Sequence, residues 1–196
     1  SEGFNKYMEE QKHRARSARG ETDGGWGGHE DSESLKDFHS EFMGYTRTRL
    51  ISGTLGLFKE GERVAHLSQG ETGYIILEKT PFYGEQGGQV GDCGDLLFKD
   101  GRAMVIDTKL SKWGTPLHFV EIEKGKIKEG DIVEALVKDE ERDATRRNHS
   151  ATHLLHKSLK QVLGNHINQA GSLVSPRRLR FDFTHFESIK NEDIKK

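Results

Sequence analysis

The hydrophobic pattern changes period several times along the 196 residues. Phe4, Tyr7, Met8, Gln11 and Ala15 recur at helical spacing, which predicts a helix over residues 4–19. Residues 20–31, GETDGGWGGHED, mix glycines and acids without an apolar period and read as a linker. Leu35, Phe38 and Phe42 share a helical face after Ser34, which predicts a short helix there. From Tyr45 to Lys138 the period shortens to that of strands. The candidates are YTRTRLI, RVAHL, GYIILEKT, DLLF, AMVIDTKL, PLHFVEIE and DIVEALVK, parted by the turns KEGE, KDG, EKGK and KEGD. Short strands in that number, joined by glycine turns, predict a small closed β-barrel.

At Asp139 the helical period returns. Asp139 is expected to cap a short helix, EERDATRR, and Asn148 to cap the next, HSATHLLHKSLKQVL, which Gly164 stops. GSLV and LRFDFTHF read as two strands around the turn SPRR. SIKNEDIKK opens a further helix with Asn191 as its cap and acids in its first turn. The class is therefore α+β. The first helix has no start signal and no initiator methionine, and a new helix opens at the end, so we expect a piece of a longer chain.

The stretch NHSATHLLH places His149, His153 and His156 at i, i+4 and i+7. At about 100° per residue they fall within about 60° of one another. They form a stripe beside the apolar arc of Ala151, Leu155, Leu159 and Val162. Two imidazoles at i and i+4 can aim at one ion, and neutral imidazole is a good zinc donor. The same spacing also suits polar residues at the margin of a core. The metalloprotease motif H-E-x-x-H is excluded, because Ser150 follows His149. A zinc site usually takes three or four protein donors, and Cys93, His118, His166 and His185 stand at no zinc spacing.

The loop PFYGEQGGQVGDCGD carries Gly84, Gly87, Gly88, Gly91 and Gly94. Such glycines let backbone amides approach a phosphate or a partner backbone, and they equally suit a tight loop with positive-φ residues. The Lys-Ser or Lys-Thr of a nucleotide-binding P-loop is missing.

Composition narrows the setting. Apolar residues are 32% of the chain, and no apolar run nears the roughly 18–20 residues of a bilayer span, so no membrane partner is expected. The N-terminus lacks the apolar segment of a signal peptide. A single cysteine, Cys93, excludes an internal disulfide and fits a reducing compartment. The net charge of −2 excludes a chain that coats RNA by overall charge. Local clusters remain at residues 12–19, at Arg146 and Arg147, and at Arg177, Arg178 and Arg180. They suit phosphate contacts or ordinary solvated faces.

Three blocks, TPFYGEQGGQVGDCG, RRNHSATHLLHKSL and QAGSLVSPRRLRFDFTHFE, closely resemble the alanyl-tRNA synthetases in order and spacing. The likeness covers nearly the whole chain. It implies a translation-factor-like barrel followed by the first part of the threonyl/alanyl-tRNA synthetase editing domain. Residues 1–20 would be the last helix of the tRNA-recognition domain, and 21–44 the acidic glycine-rich linker and short helix. Residues 45–138 would be the barrel, and 139–196 the N-terminal part of the editing domain.

The resemblance further implies a cytoplasmic parent enzyme that joins alanine to tRNA(Ala) using ATP and Mg in a catalytic domain outside this chain. It implies hydrolysis of seryl- or glycyl-tRNA made in error, a second sieve where one small pocket discriminates poorly. On the matching positions, His149 and His153 are implied zinc ligands, with a Cys-x-x-x-His pair expected downstream. Thr152 and Gln169 are implied residues of the catalytic pocket. Gly87, Gly88, Gln89, Arg146 and Arg147 are implied tRNA contacts, and His156 matches a family histidine. With half a ligand set, this chain alone is expected to bind zinc weakly or not at all and to be inactive. Apolar surface on the half domain leads us to expect self-association. Two other readings stay open: a free-standing alanyl-tRNA editing deacylase, and an RNA-binding barrel with structural histidines.

Overall fold

The computed structural model describes residues 33–195. The helix and linker predicted within residues 4–31 lie outside them. After a 3-10 turn at Glu33–Leu35 come β1 (Glu41–Phe42), β2 (Arg49–Lys59), β3 (Glu62–Arg63), β4 (His66–Ser68), β5 (Thr72–Leu77) and β6 (Lys79–Thr80). These are followed by β7 (Gly94–Phe98), β8 (Gly101–Leu110), β9 (Pro116–Lys124), β10 (Lys126–Lys128) and β11 (Ile132–Val137). Helix α1 (Asp139–Leu163), the hairpin β12 (Gln169–Val174) and β13 (Leu179–Phe183), and the single turn α2 (Asn191–Ile194) complete the chain.

Six antiparallel strands close a barrel in the order β2, β5, β9, β8, β7, β11 and back to β2. The closing pair runs from Ile132 opposite Gly53 to Leu136 opposite Arg49. Closure pairs each of these six strands on both sides and leaves only the two-residue β3 (Glu62–Arg63) as an edge of this sheet among the described residues. Leu57, Ile75, Leu77, Leu96, Val105, Val120, Ile122 and Val133 fill the interior. Each fully buried aliphatic side chain contributes about 1.5–3 kcal/mol of transfer free energy.

The apolar run of β5 has no alternation because both its faces are covered. Ile75 and Leu77 point into the barrel. Tyr74 and Ile76 pack outward with Phe58 and Leu117 beneath Leu35 and Phe38. The expected helix after Ser34 is thus a single 3-10 turn leading into extended chain, with Phe42 in β1. Its apolar residues are drawn to the barrel's outer face instead of to one another.

Other expectations also need correction. The strand expected at YTRTRLI begins only at Arg49 and runs on to Lys59, with Thr46 and Arg47 in a turn on Met43 O. Gly53 and Gly56 look like breakers, yet they lie within β2. A Cβ on Gly56 would stand 2.8 Å from the Phe38 ring, so a larger residue there would push this covering ring aside. The two expected helices after Lys138 are one continuous helix, α1. Asn148 does not cap it. Its side-chain amide donates to Ser175 O at 2.7 Å and Pro176 O at 3.3 Å, on the β12–β13 turn. Gly164, at φ 115, does end α1, and its N–H donates to Lys160 O. Asn191 is the first residue of α2, not its cap, which is Lys190.

A buried ion pair fastens α1 to the barrel. Arg142 Nε donates to Asp92 Oδ1 at 3.0 Å, and its other nitrogens reach Asp92 Oδ2, Gly44 O and Pro81 O. Asp92 also accepts from Tyr83 N at 2.6 Å. Both charges are almost wholly buried, and each makes several hydrogen bonds, the condition under which such a pair is tolerated. Among the described residues, no helix is long and apolar enough to cross a membrane.

Candidate functional site

The glycine loop between β6 and β7 folds back on itself at Gln86–Gln89. Gln86 N donates to Gln89 O at 3.2 Å, and Gln89 N to Gln86 O at 3.0 Å. Gly87 and Gly88 form the two-residue tip with φ of 61° and 84°. A tip with positive φ at both central positions favours Gly-Gly. This tip lies along β12: Val174 N donates to Gly88 O at 2.7 Å, and Val90 N donates to Val174 O at 3.0 Å. A Cβ on Gly88 would stand 2.5 Å from Ser172 O, so this backbone approach excludes any side chain.

Docking the tip brings Gln89 to the helix. Gln89 Oε1 lies 2.7 Å from His149 Nδ1, across 60 residues of sequence. One turn on, the His153 ring stands 5.1 Å from that of His149, centroid to centroid, tilted by 34°. Both histidines are exposed. His156 is half-buried and leans on Phe181 at 4.9 Å, with its Nε2 buried and lacking a hydrogen-bond partner among the described residues. The stripe is therefore graded: two exposed rings beside the loop, and a third packed against the hairpin.

Thr152 is buried, and its hydroxyl donates to Asn148 O at 2.8 Å. Gln169 is exposed and donates to Ser172 Oγ at 3.1 Å. Arg146 is exposed, pairs with Asp143 at 3.4 Å, and lies three residues before His149 on the same side of the helix. Arg147 is also exposed but leaves α1 about 100° further round. The loop, Arg146 and the two exposed histidines thus share one side of α1, whereas Arg147 does not. A concavity lined by Glu141, Ser175, Pro176, Arg177 and Arg178 contains none of the predicted site residues.

The other candidate metal donors are engaged elsewhere. His118 is wholly buried in the barrel, with Nδ1 donating to Ile75 O at 2.8 Å and Nε2 2.7 Å from Thr80 Oγ1. Burial holds its ring well below the usual imidazole range, at about 4. The Cys93 thiol donates to Glu141 Oε2 at 3.0 Å, and burial, reinforced by that carboxylate, pushes it up to about 12. His166 and His185 bond each other at 2.8 Å. Among the described residues, no group of three His, Cys, Asp or Glu side chains could hold a metal. The exposed His149 and His153 nonetheless suit zinc as two imidazole donors of a larger set, because their rings are adjacent and accessible.

A family model described as tRNA synthetases class II (A) matches residues 1–142. The chain belongs to this family. It is 48% identical over 194 residues to the alanine–tRNA ligase of Pseudomonas syringae pv. tomato, covering 99% of this chain and 22% of that protein. The alanine–tRNA ligase of Clostridioides difficile is 46% identical over 195 residues, again 99% of this chain and 22% of the relative. That of Carboxydothermus hydrogenoformans is 45% identical over 199 residues, covering all of this chain and 22% of the relative. The chain spans about a fifth of the length of these curated relatives. Its sequence matches are those of an alanyl-tRNA synthetase segment, with the barrel expected for it.

The contact between Gln89 and His149 is not legible in the sequence. Nothing in either local pattern links residues so far apart. The buried role of Arg142 is hidden for a different reason: an arginine in a polar helix looks solvated until the barrel loop is seen to surround it.

Proposed function

We propose that this chain forms the barrel, residues 45–138, and the first part of the editing domain, residues 139–196, of an alanyl-tRNA synthetase. Residues 1–20 and 21–44 would be the preceding tRNA-recognition helix and its linker. The parent enzyme joins alanine to tRNA(Ala) with ATP and Mg bound in its catalytic domain, in the cytoplasm. Through this region it clears seryl- and glycyl-tRNA(Ala). The reading rests on one juxtaposition in a chain of this family: His149 and His153 stand adjacent and exposed where the glycine loop meets α1.

In this reading His149 and His153 hold a zinc ion together with donors from the remainder of the longer enzyme. Bound zinc would supply a Lewis acid for positioning the ester or activating water. Thr152 and Gln169 would recognise the small polar side chain to be rejected. Gly87, Gly88, Gln89 and Arg146 would face the tRNA 3′ end on the histidine side, with Arg147 contacting phosphate from the adjoining face. An aminoacyl ester is already reactive, so holding it in place beside a water accomplishes much of the catalysis.

The test is the full-length synthetase carrying His149→Ala and His153→Ala. Clearance of seryl-tRNA(Ala) is expected to fall about a hundredfold or more, with alanine charging retained. Unchanged clearance would instead favour an RNA-binding barrel with structural histidines.

A further inference from the structure

The histidine stripe is met by the Gln89 side chain from the barrel, and the chemistry of that contact is directional. We infer that Gln89 is a positioning residue that sets the tautomer of His149 and so presents its Nε2 to a metal. This inference rests on the zinc reading above for its purpose, but not for its geometry.

An amide oxygen can only accept a hydrogen bond. With Gln89 Oε1 at 2.7 Å, the proton between the two groups therefore belongs to His149 Nδ1. A neutral imidazole carries one N–H, so Nε2 is left with its lone pair. That is the form needed for ligation through Nε2, with the second nitrogen held by an acceptor that also orients the ring.

The acceptor is itself held in place. The Gly87–Gly88 tip carries Gln89, and its backbone is fixed to β12 by the two hydrogen bonds of Val174. The barrel thereby acts on the histidine helix through a loop whose glycines are needed for the approach. Gly88 bears close contact, Gly87 supplies the turn, and Gln89 makes the bond.

The experiment uses this chain labelled with 15N, with imidazole nitrogens read by NMR at about pH 8, where a free imidazole is neutral. Without metal, His149 is expected as the Nδ1–H tautomer. Gln89→Leu and Gln89→Lys both remove the acceptor and should move His149 toward the Nε2–H tautomer. Gln89→Glu keeps an acceptor oxygen and should retain the Nδ1–H form. Hydrogen exchange at the Val174 amide shows whether the loop stays docked in each variant. Zinc chloride added to the full-length synthetase carrying the same substitutions should bind about ten- to a hundredfold more weakly without the acceptor.

An Nε2–H tautomer in the unsubstituted chain would overturn the inference. So would a His149 tautomer that neither acceptor-free variant moves while the loop remains docked. If the tautomer responds as expected but the full-length synthetase binds zinc no tighter than its His153→Ala variant, the zinc reading fails and the positioning role of Gln89 stands.

Discussion

The barrel and the α1–hairpin unit solve the problem of burial differently. The barrel closes on itself, covers the outer face of β5 with Leu35 and Phe38, and even satisfies both nitrogens of a wholly buried histidine. Helix α1 buries only Arg142, Thr145 and Thr152 along 25 residues. Leu154 is 69% exposed and Leu155 38% exposed. The first region is self-sufficient, whereas the second takes its position from what it borrows: Asp92, the Gly88 backbone and the Gln89 amide all belong to the barrel side. The candidate site lies on this seam, so its geometry depends on a rigid scaffold gripping a more open element.

Breaking the grip should have the largest effect. Asp92→Ala leaves the Arg142 guanidinium buried and uncompensated, and is expected to cost about 3–5 kcal/mol in urea denaturation. A loss below about 1 kcal/mol would mean that the helix is held by other contacts.

Acid should weaken the barrel through His118. Its folded value is depressed to about 4 from an unfolded 6.5. The unfolded chain therefore takes up its proton first as the pH falls. Stability is full above about pH 6.5, declines toward about pH 4, and levels off below that as far as this group is concerned. The contribution is on the order of 3 kcal/mol. Denaturation followed across this range should show the slope, and His118→Gln should flatten it. An unchanged slope in that variant would assign the acid sensitivity to other groups.

The smallest effect should come from the loop tip. Gly88→Ala combines φ of 84° with a Cβ 2.5 Å from Ser172 O, and about 1–3 kcal/mol of docking should be lost, read as faster exchange at the Val174 amide. At Gly87 a Cβ would meet open space, so Gly87→Ala carries only its backbone cost. Equal effects at the two positions would contradict the close approach to β12.

Much of the barrel is legible in local pattern. The segments DLLF, AMVIDTKL, PLHFVEIE and DIVEALVK all sit on observed strands, because alternation and glycine turns are local properties. The second half of β2 is not legible in this way, because Gly56 serves a neighbour, Phe38, that local pattern does not reveal. The break expected at Asn148 fails for a related reason: its amide has the chemistry of a cap but is spent on the hairpin turn.

The histidine spacing shows the same division. Sequence alone makes His149 and His153 neighbours on a helix, since 3.6 residues per turn leaves no alternative once the helix forms. It also carries the family blocks that name their expected chemistry. Which nitrogen of His149 is left free is a matter of tertiary contact. That choice depends on an amide 60 residues away, brought within 2.7 Å by a glycine tip docked on β12. Local spacing sets which side chains share a face, whereas proton placement on an imidazole is set by whichever partner the fold delivers to its other nitrogen.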